Sequence, residues 1–397
     1  MTCSRPPILS DLEEPNLDLG DSEIVETLKG SHVFVTGAAG LLGHVLVEKL
    51  LRTCEVDKLY LLMKSENDKT EQEQLEHYFV GKLFERLMRE QPMCMGKVEL
   101  ISGDCEQHGL GLSEQDRALL INNAHYLFHL NSLGQFDDEI WTAVNANVRS
   151  TKTMLDIAKQ MSNLKAFVHI STTFAHCCQR EIDEKFYETP YTWIELLQLV
   201  DSLDHNSLHG LTPLVIGKWP NAHLFTKALA EDLIKDEGKN LPIAILRPSI
   251  VVSTVHEPVM GWVNDITGVA GIVAGAAEGL LKSLHCNKDK LADMVPADMC
   301  VNAAISIAWE LEKKQWLMNE NVPIFNIVST TQNPITWKMF KQCNECAINY
   351  PFSMFQWYYS FTLNKNLLVH NIYIFFLHMV PALLMDVGAY ALGKQPV

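Results

Sequence analysis

Three groups of residues in this 397-residue chain have the types and spacing to do chemistry. Gly37, Gly40 and Gly43, in "VTGAAGLLG", follow the apolar run "HVFVT" and open the amphipathic run "LLGHVLVEKLL". Glycines at a strand-to-helix turn let backbone amides approach a diphosphate, with the positive helix end behind them. Thr36, the three glycines, and Leu41 and Leu42 at the helix start therefore form a candidate dinucleotide cradle. In "VHISTTF", Ser171, Thr172 and Thr173 end a buried strand in hydroxyls. That is where a sheet edge meets a ligand crevice and a substrate carbonyl needs a donor, although turn-forming hydroxyls give the same pattern. In "KWPNAHLFTKALAE", Lys227 stands four residues after His223, so an amine and an imidazole share one helical face.

The end of the second apolar run selects among dinucleotides. An acidic residue there binds the ribose hydroxyls of NAD, whereas "LYLLMKSEN" presents Lys64, a cation suited to the extra phosphate of NADP. NADPH is the expected cofactor; a solvated surface lysine is the alternative, and Glu66 close by counts against the assignment. Asp104, in "SGDC", either accepts from the adenine amino group or caps the next turn.

Positioning these groups requires a large fold, and the composition supplies one. The chain is 47% hydrophobic and 20% charged, ordinary for a globular protein with a sizeable core. A formal charge of -16 with no basic stripe argues against nucleic acid and leaves small molecules, proteins or lipid as partners. Ten cysteines lie scattered without a disulfide-like framework, and the N-terminus lacks a signal-peptide pattern, which predicts a reducing, intracellular setting. Cys343 and Cys346 form a lone CxxC with no partner ligands, so no metal site is expected.

Short apolar runs alternate with amphipathic segments, the pattern of a parallel sheet covered by helices. Strands are predicted at "HVFVTG", "KLYLLM", "KVELISGD", "HYLFHL", "AFVHIST" and "PIAILRPSIVV", and helices at "VNANVRSTKTMLDIAKQM" and "AHLFTKALAEDLIKDE". In "EQEQLEHYFVGKLFERLMRE", Leu75, Phe79, Leu83 and Leu87 stack on one helical face as core packing. Residues 1–30, acidic and poor in aromatics, are predicted to be disordered, with folding from Ser31. "GWVNDITGVAGIVAGAAEGLL" suits close packing or a substrate-facing lid. "IFNIVSTTQNPITWKMF" then leads through a strand and a turn into a C-terminal helical region, so the division is 31–330 and 331–397. That region holds "NLLVHNIYIFFLHMVPALLMDVGAYAL", long enough to cross a bilayer but interrupted by His370, Asn371, His378, Pro381 and Asp386. A helical hairpin, packed on the domain or lying in a membrane interface, is favoured over a spanning helix.

In this order, "TGAAGLLG", "GLGLSEQDR", "VHIST", "WPNAHLFTKALAE", "RPSIV", "EPVMGW" and "DMVPAD" resemble the fatty acyl-CoA reductases, an NADPH-dependent branch of the extended short-chain dehydrogenase/reductases. The resemblance runs from about Ser31 to the C-terminus, where "NPITW" and the apolar tail look like the start of the family's "sterile" domain. It implies an α/β fold, a Rossmann-type doubly wound parallel sheet with a C-terminal helical, partial sterile region. It further implies reduction of long-chain acyl-CoA to a primary alcohol through an aldehyde, using NADPH, in lipid and wax metabolism at peroxisomal or endoplasmic-reticulum membranes. Carried over by residue, Gly37, Gly40 and Gly43 bind the pyrophosphate, Thr172 orients the carbonyl, Lys227 holds the nicotinamide ribose and Pro248 meets the nicotinamide.

Four positions depart from the family pattern. His223 stands where the family has its tyrosine acid; in "NSLGQFD", Asn131 and Ser132 replace the usual small loop at the cofactor edge; Lys64 replaces a common arginine; and the chain stops at "GKQPV" where relatives continue. A like charge at Lys227 disfavours the imidazolium, leaving His223 a neutral and poor acid, with a ring shorter than a phenol. The expectation is a slowed reductase. The alternative is a catalytically impaired scaffold of the same fold that binds NADPH or acyl-CoA. A third reading, a reductase of sugars or steroids, lacks support from the tail and from "TWIELLQLVDSL", whose spacing suits an acyl pocket or ordinary helix packing.

Overall fold

Short runs of branched and aromatic residues bounded by glycine or charge favour extended chain. Seven such runs pair into one sheet in the computed structural model, which describes residues 22–65, 68–130, 139–314, 321–345 and 358–393. The strands are β1 (His32–Thr36), β2 (Lys58–Met63), β3 (Val98–Ser102), β4 (Tyr126–His129), β5 (Ala166–Ile170), β6 (Ile243–Pro248) and β7 (Ile324–Ile327). Their order is β7-β6-β5-β4-β1-β2-β3, and every pairing is parallel. The order reverses between β1 and β4, which opens a crevice at the carboxyl ends of those strands, the ligand position of doubly wound sheets.

Alternation along each strand splits the core in two. Val33, Val35, Leu59, Leu61, Phe128, Val168 and Leu246 face one layer with the helices Leu41–Thr53 and Ala297–Lys314. Phe34, Tyr60, Leu62, Leu127, Phe167 and Ile245 face the other, with the helical run 140–158 and the helix Ala222–Glu237. Burial on both faces accounts for the nearly continuous apolar character of these strands.

Three expectations change. The predicted helix over 71–90 is two, Glu71–Tyr78 and Lys82–Glu90, because Gly81 between them adopts a φ of 124° that no helix accepts; Leu75, Phe79, Leu83 and Leu87 are nonetheless all buried. Order begins ahead of Ser31: Glu23–Leu28 is a helix with Leu28 fully buried and acidic residues in its first turn, where the helix dipole favours them. Residues 1–21 lie outside the described residues. Third, the chain divides into two interleaved units. One comprises residues 19–264 and 295–327; the other includes 265–294 and 328–397. The expected boundary at 330 falls beside the last junction, but the glycine- and alanine-rich segment belongs with the C-terminal unit.

In that second unit, the strand Ser283–His285 pairs in parallel with Thr362–Asn364, and Ala276, Tyr359 and Phe361 form a small core. The apolar tail is one 25-residue helix, Leu367–Ala391, none of it buried, rather than a hairpin. A π-helical turn, Phe375–Met379, precedes Pro381 and absorbs the hydrogen bond that proline cannot make, so the helix runs on. His370 and His378 are turned toward the unit's own strand: His370 Nδ1 lies 2.8 Å from Ser283 Oγ, and the Lys282 N–H donates to His378 Nε2 at 3.0 Å.

Candidate active site

The loop after β1 is built around its glycines. Gly37 has a φ of +70°, and its carbonyl accepts from the Gly40 N–H at 3.1 Å, closing a tight turn. A Cβ on Gly43 would lie 2.3 Å from the Gly37 oxygen, so only glycine lets the helix Leu41–Thr53 start this close to the turn. No side chain caps that helix start, which leaves its N–H groups directed at the crevice. From outside, the Tyr78 hydroxyl donates to the Ala38 carbonyl at 2.9 Å and the Asn264 amide to the Ala39 carbonyl at 3.1 Å. A tight, uncapped turn of this kind, whose side chains are no larger than the methyls of Ala38 and Ala39, fits a diphosphate.

At the ends of β2 and β3, two residues assigned to different parts of the cofactor meet. Lys64 Nζ pairs with Asp104 Oδ2 at 3.0 Å and lies 3.6 Å from Glu106, and its side chain is 63% exposed. Asp104 Oδ1 also accepts from the Glu106 N–H at 3.0 Å, so the carboxylate caps the turn after β3. The hydrogen bond to Asp104 and the two carboxylates together hold the Lys64 ammonium above its usual range. Asn131, Ser132 and Glu66 lie outside the described residues.

Register carries a row of polar side chains across the sheet just beneath its carboxyl edge. Thr36, His129 and His169 are cross-strand neighbours on β1, β4 and β5. Thr36 Oγ1 lies 2.7 Å from His129 Nδ1, and Thr151 Oγ1 lies 3.2 Å from His129 Nε2. Burial, reinforced by the charge of Lys227, pushes His129 down to about 3, so this imidazole is neutral across the physiological range.

Above the row sit the residues of β5, β6 and the helix Ala222–Glu237. Thr172 caps the short helix Thr173–His176, accepting from the Phe174 N–H at 3.3 Å, and its hydroxyl donates to the Pro248 carbonyl at 3.3 Å. Lys227 is buried and donates to the Ile170 carbonyl at 3.1 Å, which brings it to the end of β5 beside Thr172. Burial lowers the lysine to about 8, opposed by Cys105 and Glu231. His223 is the second residue of the helix, half-buried, one turn before Lys227. Burial first, and Lys227 second, take its imidazole down to about 4. It is therefore neutral, as the sequence suggests, but chiefly through desolvation rather than the like charge, with the positive helix end acting in the same direction.

The crevice thus gathers Thr36, the glycine turn, Thr172, His223, Lys227 and Pro248 at one sheet edge, with Lys64 and Asp104 at the outer strands. Sequence reasoning missed His129 and a buried group around Glu231. The Glu231 carboxylate takes hydrogen bonds from Ser171 and Arg247 and lies 2.8 Å from His176 Nε2. Its only signal in the sequence is its place four residues after Lys227. "TWIELLQLVDSL" packs Leu196 and Val200 into the core, one turn apart, as ordinary helix packing does.

A family model described as male sterility protein matches residues 35–304. Over 369 residues the chain is 36% identical to the fatty acyl-CoA reductase wat of Drosophila melanogaster, covering 93% of this chain and 71% of that protein. The chain belongs to the fatty acyl-CoA reductases. Human fatty acyl-CoA reductase 1 is 34% identical, with 94% of this chain and 72% of the relative covered. Among solved structures, the reductase domain of a nonribosomal peptide synthetase from Mycobacterium tuberculosis superposes with a TM-score of 0.59 at 16% identity, over 89% of this chain and 79% of that one. The terminal reductase domain of the myxalamid biosynthetic pathway gives 0.56 at 20%, over 80% and 72%. These two likenesses bear on the fold, which is that of Rossmann-type reductases. In this fatty acyl-CoA reductase, Lys227 and Thr172 lie together at the end of β5, with His223 one helical turn away.

Proposed function

We propose that this fatty acyl-CoA reductase uses NADPH to reduce a long-chain acyl-CoA through an aldehyde to a primary alcohol, slowly because of His223. When bound, the reduced nicotinamide supplies hydride. The chain's residues do the rest: the glycine turn and helix start hold the diphosphate, and Lys64, paired with Asp104, offers a cation for the 2′-phosphate. Lys227 is the donor for the nicotinamide ribose, Pro248 meets the nicotinamide, and the Thr172 hydroxyl orients the substrate carbonyl. His223, neutral, donates a hydrogen bond to the developing oxyanion and yields its ring proton to it slowly as the alkoxide becomes the alcohol.

The observation that carries this reading is the convergence of Lys227 and Thr172 on the end of β5, with His223 one helical turn away. The depressed imidazole of His223 favours a second reading, an NADPH- and acyl-CoA-binding protein without turnover. The test is NADPH oxidation with long-chain acyl-CoA, with aldehyde and alcohol identified by mass. The natural protein is compared with His223→Tyr and Lys227→Ala. Alcohol from the natural protein above the Lys227→Ala background supports the reductase. Turnover by His223→Tyr alone selects the binding protein, and turnover by neither overturns the reductase assignment.

The exposed helix Leu367–Ala391 supports attachment to a lipid membrane; the resemblance to the family makes that membrane peroxisomal or endoplasmic-reticular.

A further inference from the structure

Three consecutive positions at the end of β5 are each tied to a different element. The Ile170 carbonyl accepts from Lys227, the Ser171 hydroxyl donates to Glu231, and the Thr172 hydroxyl donates to the Pro248 carbonyl. Lys227 and Glu231 are one turn apart on one helix, and Arg247, next to Pro248 on β6, donates to Glu231 from Nε at 3.0 Å and from its terminal nitrogen. Glu231 and Arg247 are 1% and 0% exposed, so neither could be buried here without the other. The same guanidinium donates to the carbonyls of Asp183 and Lys185 at 3.1 and 3.0 Å, fixing the segment that leaves the Thr172 turn. From these contacts we propose that Glu231 is a positioning residue for the reduction, a single buried carboxylate that locks Thr172 and Lys227 into one geometry through Ser171 and Arg247. The proposal rests on the NADPH-dependent reading of the site.

Glu231 has a second effect that shape alone does not. Cys105, from the turn after β3, and Glu231, on the lysine's own helix, act on Lys227, and Lys227 in turn acts on His129 on β4, His169 on β5 and His223. The imidazoles are neutral and the Cys105 thiol is pushed up to about 12 by burial, so Glu231 is the anion in this group at neutral pH. It keeps Lys227 protonated in a place where burial works against the charge.

The experiment is a titration of NADPH affinity against pH, read by nicotinamide fluorescence, on the natural protein and on Glu231→Gln. Affinity should fall as Lys227 loses its proton. In Glu231→Gln the midpoint of that fall should move down by about half a pH unit or more. A variant that binds NADPH with an unmoved midpoint overturns the proposal; a natural protein that does not bind NADPH overturns the reading beneath it instead. Should Glu231→Gln not fold, Ser171→Ala carries the test, since it removes one hydroxyl and leaves the ion pair. Placed in whichever of the natural or His223→Tyr forms turns over, it should lower kcat about tenfold while the KM for NADPH stays put. An unchanged kcat overturns the proposal, and absence of turnover in both forms again overturns the reading beneath it.

Discussion

At the scale of single residues, the site is decided by what burial does to charge. His223→Tyr should raise the acyl-CoA-dependent rate by ~10²-fold, the return expected from a correctly placed acid, measured as kcat beside an unchanged NADPH affinity. Gly43→Ala should do the reverse to binding, because its methyl would sit 2.3 Å from the Gly37 carbonyl. NADPH affinity should fall more than about tenfold, or the fold be lost, as fluorescence titration and circular dichroism would show. The placement of Lys227, Thr172 and the glycines at the carboxyl ends of the strands was legible in the sequence because it follows from local strand and helix spacing. The Glu231 group was not, since Ser171, His176 and Arg247 meet it only through the adjacency of β5 and β6, which no short window contains.

At the scale of elements, buried neutral histidines make the sheet sensitive to acid. His129 is held down to about 3, and burial also lowers His44, His125 and His169. The unfolded chain takes up these protons near pH ~6.5 while the folded chain takes them only at lower pH. Stability is therefore fully present above ~6.5 and is lost as pH falls toward the folded values, so the urea midpoint should hold at pH above ~6.5 and drop as the pH is taken below it toward ~5. A second element, the loop after β6, depends on Asp298 at the start of the helix Ala297–Lys314. Its buried carboxylate accepts from the N–H groups of Val255, His256 and Glu257 at 3.1, 2.8 and 3.2 Å. Asp298→Ala leaves these donors without that partner and should cost about 2–4 kcal/mol in chemical denaturation. Strands were readable because continuous apolar runs have few alternatives. The break at Gly81 was not, since the stripe of Leu75, Phe79, Leu83 and Leu87 continues through it, and both helices bury their share. The helix Glu23–Leu28 is too short for periodicity to reveal, being held by burial of Leu28.

At the scale of the whole molecule, the proposed catalytic residues and the exposed apolar helix Leu367–Ala391 fall in different units, so the proposed reduction and membrane attachment should separate. Phe376 and Leu384 are 61% and 67% exposed, so Phe376→Asp with Leu384→Asp should abolish flotation with phospholipid vesicles and leave the NADPH affinity unchanged. The tail's composition announced a long apolar helix, but its lack of a hairpin turn was hidden, because Pro381 ordinarily signals a break and only the π-helical turn Phe375–Met379 lets the helix pass it. The interleaving of the units bears on biosynthesis. A ribosome that has made everything through Asn264 has delivered six of the seven strands and the whole glycine turn, yet neither β7 nor the helix Ala297–Lys314 that covers one face of the sheet. The nascent sheet therefore waits with that face only partly covered, by the helix Leu41–Thr53, while residues 265–294 of the other unit are translated. Transcripts that end within that interval would yield chains prone to capture by chaperones rather than a smaller working reductase.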